Sequence, residues 1–284
     1  MPEIQELEKD TSGSMQRPQD VGAVGEPVEL SPKPVVEVVH KVLVGIPLKG
    51  HTPPKSYHDR MLMWQHLGAR ECEDFYKKTN PRFVFGLGVL GEVLTPFARE
   101  TLATEALKAG CEYLFMVDDD MLCPADLFYK LQANGKDICA ALAFTRNPDH
   151  KPVIYETKEG FDETSRTRFG FTKFVENYPK DALVECDAVG FGAVLIRTEV
   201  FRKVPQPWFF GMAQTGEDIT LCVKAKKAGF NVFMDTRIKL GHLSDPIVVT
   251  EEYSEKWNKL TPDEREKQYG KFTKYSSDDS KLFK

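Results

Sequence analysis

The chain has 284 residues, 41% of them hydrophobic, which is enough for one substantial core and excludes a wholly disordered polypeptide. Its 38 basic and 43 acidic residues leave a net charge of −5, so there is no global pull toward nucleic acid or an anionic membrane. No stretch reaches the apolar length of a bilayer-crossing helix, and MPEIQELEKD has neither the basic nor the apolar region of a secretory signal. The expectation is therefore no membrane insertion and a cytoplasmic setting, with the six scattered Cys as core thiols.

In chain order, residues 1–34 are rich in Glu, Gln, Gly, Ser and Pro, hold no aromatic residue, and read as a flexible N-terminal tail or partner-binding segment. Lys41–Ile46 is the first strand. It ends at Pro47, before a Gly- and Pro-punctuated loop, LKGHTPPK, in the place where open α/β sheets commonly seat a nucleotide. That loop is neither a dinucleotide fingerprint nor a Walker A loop. Ser56–Leu67 reads as a helix, with Tyr57, Met61, Trp64 and Leu67 on roughly one face, and Arg82–Val89 as a strand. A helix over Pro96–Ala109 has Pro at its start and Gly110 as terminator. The apolar strand Tyr113–Val117, a helix over Pro124–Asn134 and a strand over Asp137–Phe144 complete an alternation of strand and helix. It predicts a three-layer, Rossmann-like α/β fold with a mostly parallel central sheet.

The rhythm changes after Arg146. Lys151–Tyr155 reads as a short strand, Glu156–Ala182 as a β-hairpin or flap, and Leu183–Ile196 as strand-like with a bend at Gly190 and Gly192. Pro205–Asp218 is a loop, Ile219–Ala228 a helix, and Asn231–Asp235 a strand, after which Ile238–Leu240 leads to Gly241 and His242. A short helix, Pro262–Tyr269, precedes a polar tail. The expected organisation is a tail (1–34), one α/β domain (35–250) and a C-terminal helix and tail (251–284).

Chemistry concentrates where the strand Tyr113–Val117 stops in Asp118, Asp119 and Asp120. Three adjacent carboxylates repel one another and gain nothing from the core, and a divalent cation would relieve that repulsion; a solvated acidic turn is the alternative. Alternation puts Asp118 and Asp120 on one side and Asp119 on the other. Glu217 and Asp218 open a helix, either as capping acids or as a general base that orients an acceptor hydroxyl. Neutral imidazole at His242 suits a metal as a third protein ligand, or else it is an ordinary polar residue. His51 could contact phosphate. Trp208, Phe209 and Phe210 are either packed or an acceptor wall suited to sugar stacking.

In combination, KVLVGIP, YLFMVDDDMLCP with its DxD, GFGAVLIRTEVF, GEDITLCVKAKKAGF and the later GH resemble the GT-A class of nucleotide-sugar glycosyltransferases, in the style of family-2-like members. The resemblance runs from Lys41 to His242. It implies a Mn²⁺- or Mg²⁺-dependent hexosyltransferase using a UDP- or GDP-sugar donor and a hydroxyl acceptor, with a C-terminal subregion on the acceptor side. Donor contacts are then expected from Pro47, Leu48, His51, Arg99, Asp118 and Asp119, and metal contacts from Asp118, Asp120 and His242. Asp218, with Glu217, would be catalytic, and Trp208, Phe210 and Gly211 would face the acceptor. Glu100 departs from the family, which commonly has Asn after the helix Arg. The acceptor stays open among a small molecule, a glycan and a hydroxylated DNA base, the last suggested by interleaved Arg166, Arg168, Phe169, Phe171, Lys173 and Phe174. A nucleotidyltransferase and a non-catalytic sugar-nucleotide-binding module are the competing classes, and oligomerisation is open.

Overall fold

The computed structural model describes residues 37–48, 52–162, 167–211, 215–244 and 247–269. Seven strands form the central sheet. They are β1 (Val39–Pro47), β2 (Arg82–Leu90), β3 (Tyr113–Val117), β5 (Ile138–Leu142), β8 (Leu183–Cys186), β10 (Ala193–Arg197) and β11 (Val232–Lys239), in the order β2-β1-β3-β10-β5-β11-β8. The sheet is mixed. β1 pairs in parallel with β2 and β3, and β11 with β5, but β10 runs antiparallel between β3 and β5, and β8 antiparallel to β11. The expected mostly parallel sheet is corrected here because an apolar run such as AVLIR does not encode its own direction. Two three-stranded sheets flank it. One joins β4 (Met121–Leu122), β12 (Gly241–Ser244) and β13 (Ile247–Val249); the other joins β6 (Ile154–Asp162), β7 (Thr167–Phe174) and β9 (Ala188–Val189).

Alternation along the buried strands builds two cores, one on each face of the sheet. Leu114, Met116, Ile138, Ala140, Val194 and Ile196 face one layer, with α2 (Thr95–Lys108), α4 (Thr198–Lys203) and α5 (Glu217–Lys227). Tyr113, Phe115, Val117, Cys139, Ala141 and Leu195 face the other, with α1 (Pro54–Lys77) and α3 (Leu127–Gln132). All five residues of β3 are buried because both faces are covered.

α1 runs well beyond the expected end at Leu67, and α3 is shorter than the expected Pro124–Asn134 because turns take residues at both of its ends. The expected hairpin is present as antiparallel β6 and β7. Leu183–Ile196 is three strands in two sheets rather than one bent strand. An additional helix, α6 (Glu251–Lys259), precedes α7 (Pro262–Tyr269). The Thr250 side chain caps α6 by accepting from the Tyr253 N–H, and Trp257 is buried. Buried Glu251 accepts from Lys180 at 2.6 Å and Tyr178 at 2.7 Å and pairs with Lys239 at 2.6 Å. Burial opposes its charge, but these partners hold the carboxyl down at about 2. No helix among the described residues is long and apolar enough to cross a membrane.

Candidate active site

Parallel strands β1, β3, β5 and β11 end at one edge of the sheet, and antiparallel β10 begins there, opposite the end of β3. This is the edge at which α/β sheets place their ligands. Beyond Val117 the chain turns tightly: the Asp118 N–H donates to the Gly192 carbonyl at 2.9 Å, and the Met121 N–H to the Asp118 carbonyl at 3.3 Å. α1 clamps this turn. Arg60 donates to the carbonyls of Asp118 (3.1 Å) and Asp119 (3.0 Å), and the Ser56 hydroxyl donates to the Asp119 carbonyl. Both side chains are buried, so carbonyl partners are what make their burial tolerable. Sequence reasoning missed this pair. Its signal was a Ser and an Arg at i, i+4 on the face that continues as Met63 and Leu67.

The three carboxylates then separate. Asp118 accepts from Arg99 Nη2 at 2.7 and 3.0 Å, and Asp119 is buried. Asp120 Oδ2 lies 3.4 Å from His242 Nε2 and 3.2 Å from Arg146 Nη1. Pairing of β12 with β4 brings His242 here, since it lies opposite Met121, the residue after Asp120. The Leu243 N–H donates to the Asp120 carbonyl at 2.9 Å. Gly241 is required at this crossing, where a Cβ would come within 2.7 Å of Val248 Cγ1.

His242 Nδ1 lies 2.7 Å from the Phe144 carbonyl, so it carries the hydrogen, and Nε2 faces Asp120. A carboxylate oxygen and an imidazole nitrogen 3.4 Å apart have the spacing of neighbouring ligands of one divalent ion, whose bonds of about 2.1 Å at about 90–110° set donor atoms about 3.0–3.4 Å apart. Among the described residues no three His, Cys, Asp or Glu side chains converge on one point. Of the expected trio of Asp118, Asp120 and His242, both carboxylates already have a guanidinium partner, Arg99 at Asp118 and Arg146 at Asp120.

Arg99 is the centre of the site. It is 3% exposed and donates through Nη1 to Glu217 at 2.7 Å as well as through Nη2 to Asp118. One guanidinium thus ties the end of β3 to the first turn of α5. Burial works against its charge, but Asp118, Asp218 and Glu217 outweigh burial and raise its pKa above the ordinary value. Asp218 follows Glu217 in that first turn, with Oδ1 accepting the Ile219 N–H at 2.8 Å. Burial pushes its carboxyl up, Arg99 pulls it down, and Glu217 pushes it up again, to about 6 overall.

Arg99, Asp118, Glu217, Asp218 and His242 share a cleft of about 500 Å³, walled by Met121, Val153, Tyr155 and Phe191. Tyr155 packs against Phe174 with tilted rings, 5.0 Å between centroids, and its hydroxyl is held protonated by burial and by the Asp218 charge. Gly190 forms part of this wall, where a Cβ would sit 2.8 Å from Val153 Cβ.

Other candidates stand elsewhere. Pro47 is buried within β1, and the Leu48 N–H donates to the Leu90 carbonyl at 2.8 Å; neither lines the cleft. His51 lies outside the described residues, as do Arg166 and the side chains of Arg168, Phe169 and Phe171. Trp208 does not face the cleft. It is 4% exposed, packs on Phe201 at 5.2 Å and donates Nε1–H to the Val204 carbonyl at 2.7 Å. Phe210 lies under the Lys224 ammonium at 5.3 Å, and Gly211 is exposed. Glu100 explains the inward turn of this loop, since its Oε2 accepts from the backbone N–H groups of Trp208 (2.9 Å) and Phe209 (2.8 Å). Lys224 adds bonds to the carbonyls of Pro205 and Pro207, at 2.5 and 2.6 Å. The Glu at position 100 thus anchors a loop.

No family model matches the sequence, and neither does any curated protein. Among solved structures, the chain is similar to A197 from STIV (TM-score 0.49, 14% identity, covering 75% of this chain and 91% of that one). It is similar also to GalNAc-T7 with UDP, GalNAc and Mn²⁺ (0.44, 14%, covering 73% and 44%) and to apo UDP-glucose pyrophosphorylase (0.42, 11%, covering 78% and 97%). At these scores and identities the likenesses carry no chemistry across.

Proposed function

We propose that this chain transfers a sugar from a nucleoside diphosphate sugar, UDP- or GDP-linked, to a hydroxyl acceptor. The observation that carries this reading is the convergence in one cleft of Arg99, Asp118, Glu217, Asp218 and His242, which arrive from α2, the end of β3, α5 and β12. The motif resemblance over the same residues supports it. Asp120 and His242 would hold a Mn²⁺ or Mg²⁺ ion, their donor set being the hard carboxylate and neutral imidazole that such ions accept. When bound, the ion offsets charge developing on the departing diphosphate. Asp118 and Arg99 border the nucleotide end of the donor.

Asp218 takes the proton of the acceptor hydroxyl. At about 6 its carboxyl is largely ionised at pH 7 and is a better base than an ordinary aspartate. Glu217, bound to Arg99, fixes the first turn of α5 and hence the direction of Asp218. Gly216 has the same effect from the other side, since a Cβ there would come within 2.6 Å of Asp218 Oδ1. Gly216→Ala is expected to lower turnover by about tenfold or more, as small displacements of reacting groups do. Thermal melting should stay close to wild type, and a loss of turnover matched by a loss of folding would remove this positioning role.

Nucleotide and metal binding test the reading. A thermal-shift panel of UDP and GDP with Mn²⁺ should show one nucleotide raising Tm by about 5 °C at saturating concentrations. Asp120→Ala should abolish most of that rise. No shift with either nucleotide would defeat the proposal.

A further inference from the structure

We propose that the acceptor carries an uncharged apolar moiety, which docks on a hydrophobic rim formed by Val93, Leu94 and Phe97. This inference rests on the transferase reading above and names the substrate class for that same cleft. Val93, Leu94 and Phe97 are 47%, 70% and 65% exposed. A protein surface gains nothing from displaying large apolar side chains together, and such patches mark binding sites. Leu94 is the N-cap of α2 and Phe97 lies in its first turn, so the two stand at the same end of the helix.

Three observations choose the occupant. First, the rim is continuous with the cleft, because Leu94 and Pro96 are themselves lining residues, one helical turn from Arg99. Tyr57, Met61, Phe75 and Tyr76 are also exposed, yet none lines that cleft. Second, the segment Gly91–Glu100 offers no exposed cation: its Arg99 is buried in the carboxylate cluster, and Glu92 and Glu100 are acidic. Phosphate backbones and anionic lipid surfaces require exposed Lys or Arg, so a polyanion is disfavoured at this rim. Third, the cleft that Asp218 lines also has apolar walls, from Pro96, Met121, Val153, Tyr155 and Phe191. An acceptor that presents its hydroxyl to Asp218 therefore meets apolar surface on its way out of the cleft. A neutral alkyl or aryl glycoside, or an alcohol of similar character, fits these surroundings.

The test uses the full chain and a series of methyl, butyl, hexyl and octyl β-glucosides, each below its micelle concentration, titrated with and without UDP and Mn²⁺. Burial of a methylene strengthens binding about fourfold, so the octyl compound should bind at least about tenfold tighter than the methyl one even if only partly covered. In Leu94→Ser/Phe97→Ser that chain-length dependence should flatten, whereas Tyr76→Ser should retain it. The proposal is overturned if affinity does not depend on chain length, or if Tyr76→Ser flattens the slope equally. It is also overturned if sedimentation shows a wild-type dimer that Leu94→Ser/Phe97→Ser dissociates, since the rim would then face a second copy. Nucleotide binding separates the two readings. A chain-length slope without binding of UDP or GDP leaves the apolar site standing and removes the transferase, whereas nucleotide binding without the slope removes only the apolar site.

Discussion

Asp218→Asn is expected to lower sugar transfer by about 10²–10⁴-fold while leaving nucleoside diphosphate affinity within about twofold of wild type. The amide keeps the shape of the carboxylate but cannot take a proton. Wild-type turnover should also report the carboxyl itself. Burial raises it to about 6 despite the pull of Arg99, and only the ionised form acts as base. The rate should therefore be level above about pH 6 and fall about tenfold for each unit below it. Stability moves the other way. The folded state holds the proton more tightly than the unfolded chain, so Asp218 costs stability as pH rises from about 4 to 6 and that cost is complete above 6. Asp218→Asn should thus melt no lower than wild type at pH 7. A rate within about tenfold of wild type in this variant would assign the base elsewhere.

Arg99→Met should have the largest effect on folding, a loss of about 3–5 kcal/mol, or about 10 °C in Tm. Its guanidinium is buried between Asp118 and Glu217, at 2.7 Å from each, and also lowers the Asp218 carboxyl. Without it three carboxylates share a site with no cation among them. Mutual repulsion without the counter-ion disfavours the ionised cluster, so the variant should be less destabilised at pH 5 than at pH 7.5. Arg99→Lys should fall between, because an ammonium keeps the charge but not the fork that reaches both partners. Urea titrations at pH 5 and 7.5 measure this. A destabilisation under about 1 kcal/mol that is equal at both values would deny Arg99 its central place.

Much of the scaffold was legible because its determinants are local. Tyr113–Val117 reads as a strand covered on both faces, which it is, and its abrupt end in three carboxylates pointed to the sheet edge where Asp118 lines the candidate cleft. The helix following Gly216 was read from its apolar run, whereas Gly241 and His242 were expected only to follow Ile238–Leu240 and not to form a strand, β12, of their own. Strand direction was not legible. AVLIR reads identically in either sense, and only its register between β3 and β5 makes it antiparallel. The polar second half of α1 shows too little apolar periodicity to declare itself. α6 does carry an apolar pair at i, i+4, Tyr253 and Trp257, but they are its only large apolar residues among Glu and Lys.

The site was legible in its residue types and less so in their pairings. Asp118, Glu217 and Arg99 stand apart in sequence, and nothing local says that one guanidinium joins both carboxylates. Trp208 looked suited to a sugar because an aromatic residue in a loop reads as exposed. Its burial depends on Glu100 and Lys224, which bind the backbone of its own loop from two helices. The Ser56 and Arg60 clamp has the same origin, since its partners are backbone carbonyls, which carry no mark in sequence.

The most direct measurement is the release of nucleoside diphosphate from a panel of UDP- and GDP-sugars incubated with the purified chain and Mn²⁺. The expected result is release from one nucleotide class, lost in Asp120→Ala and Asp218→Asn, with the nucleotide still stabilising Asp218→Asn in thermal melts. Neither release nor binding across the whole panel would contradict the assignment of this cleft to a sugar nucleotide.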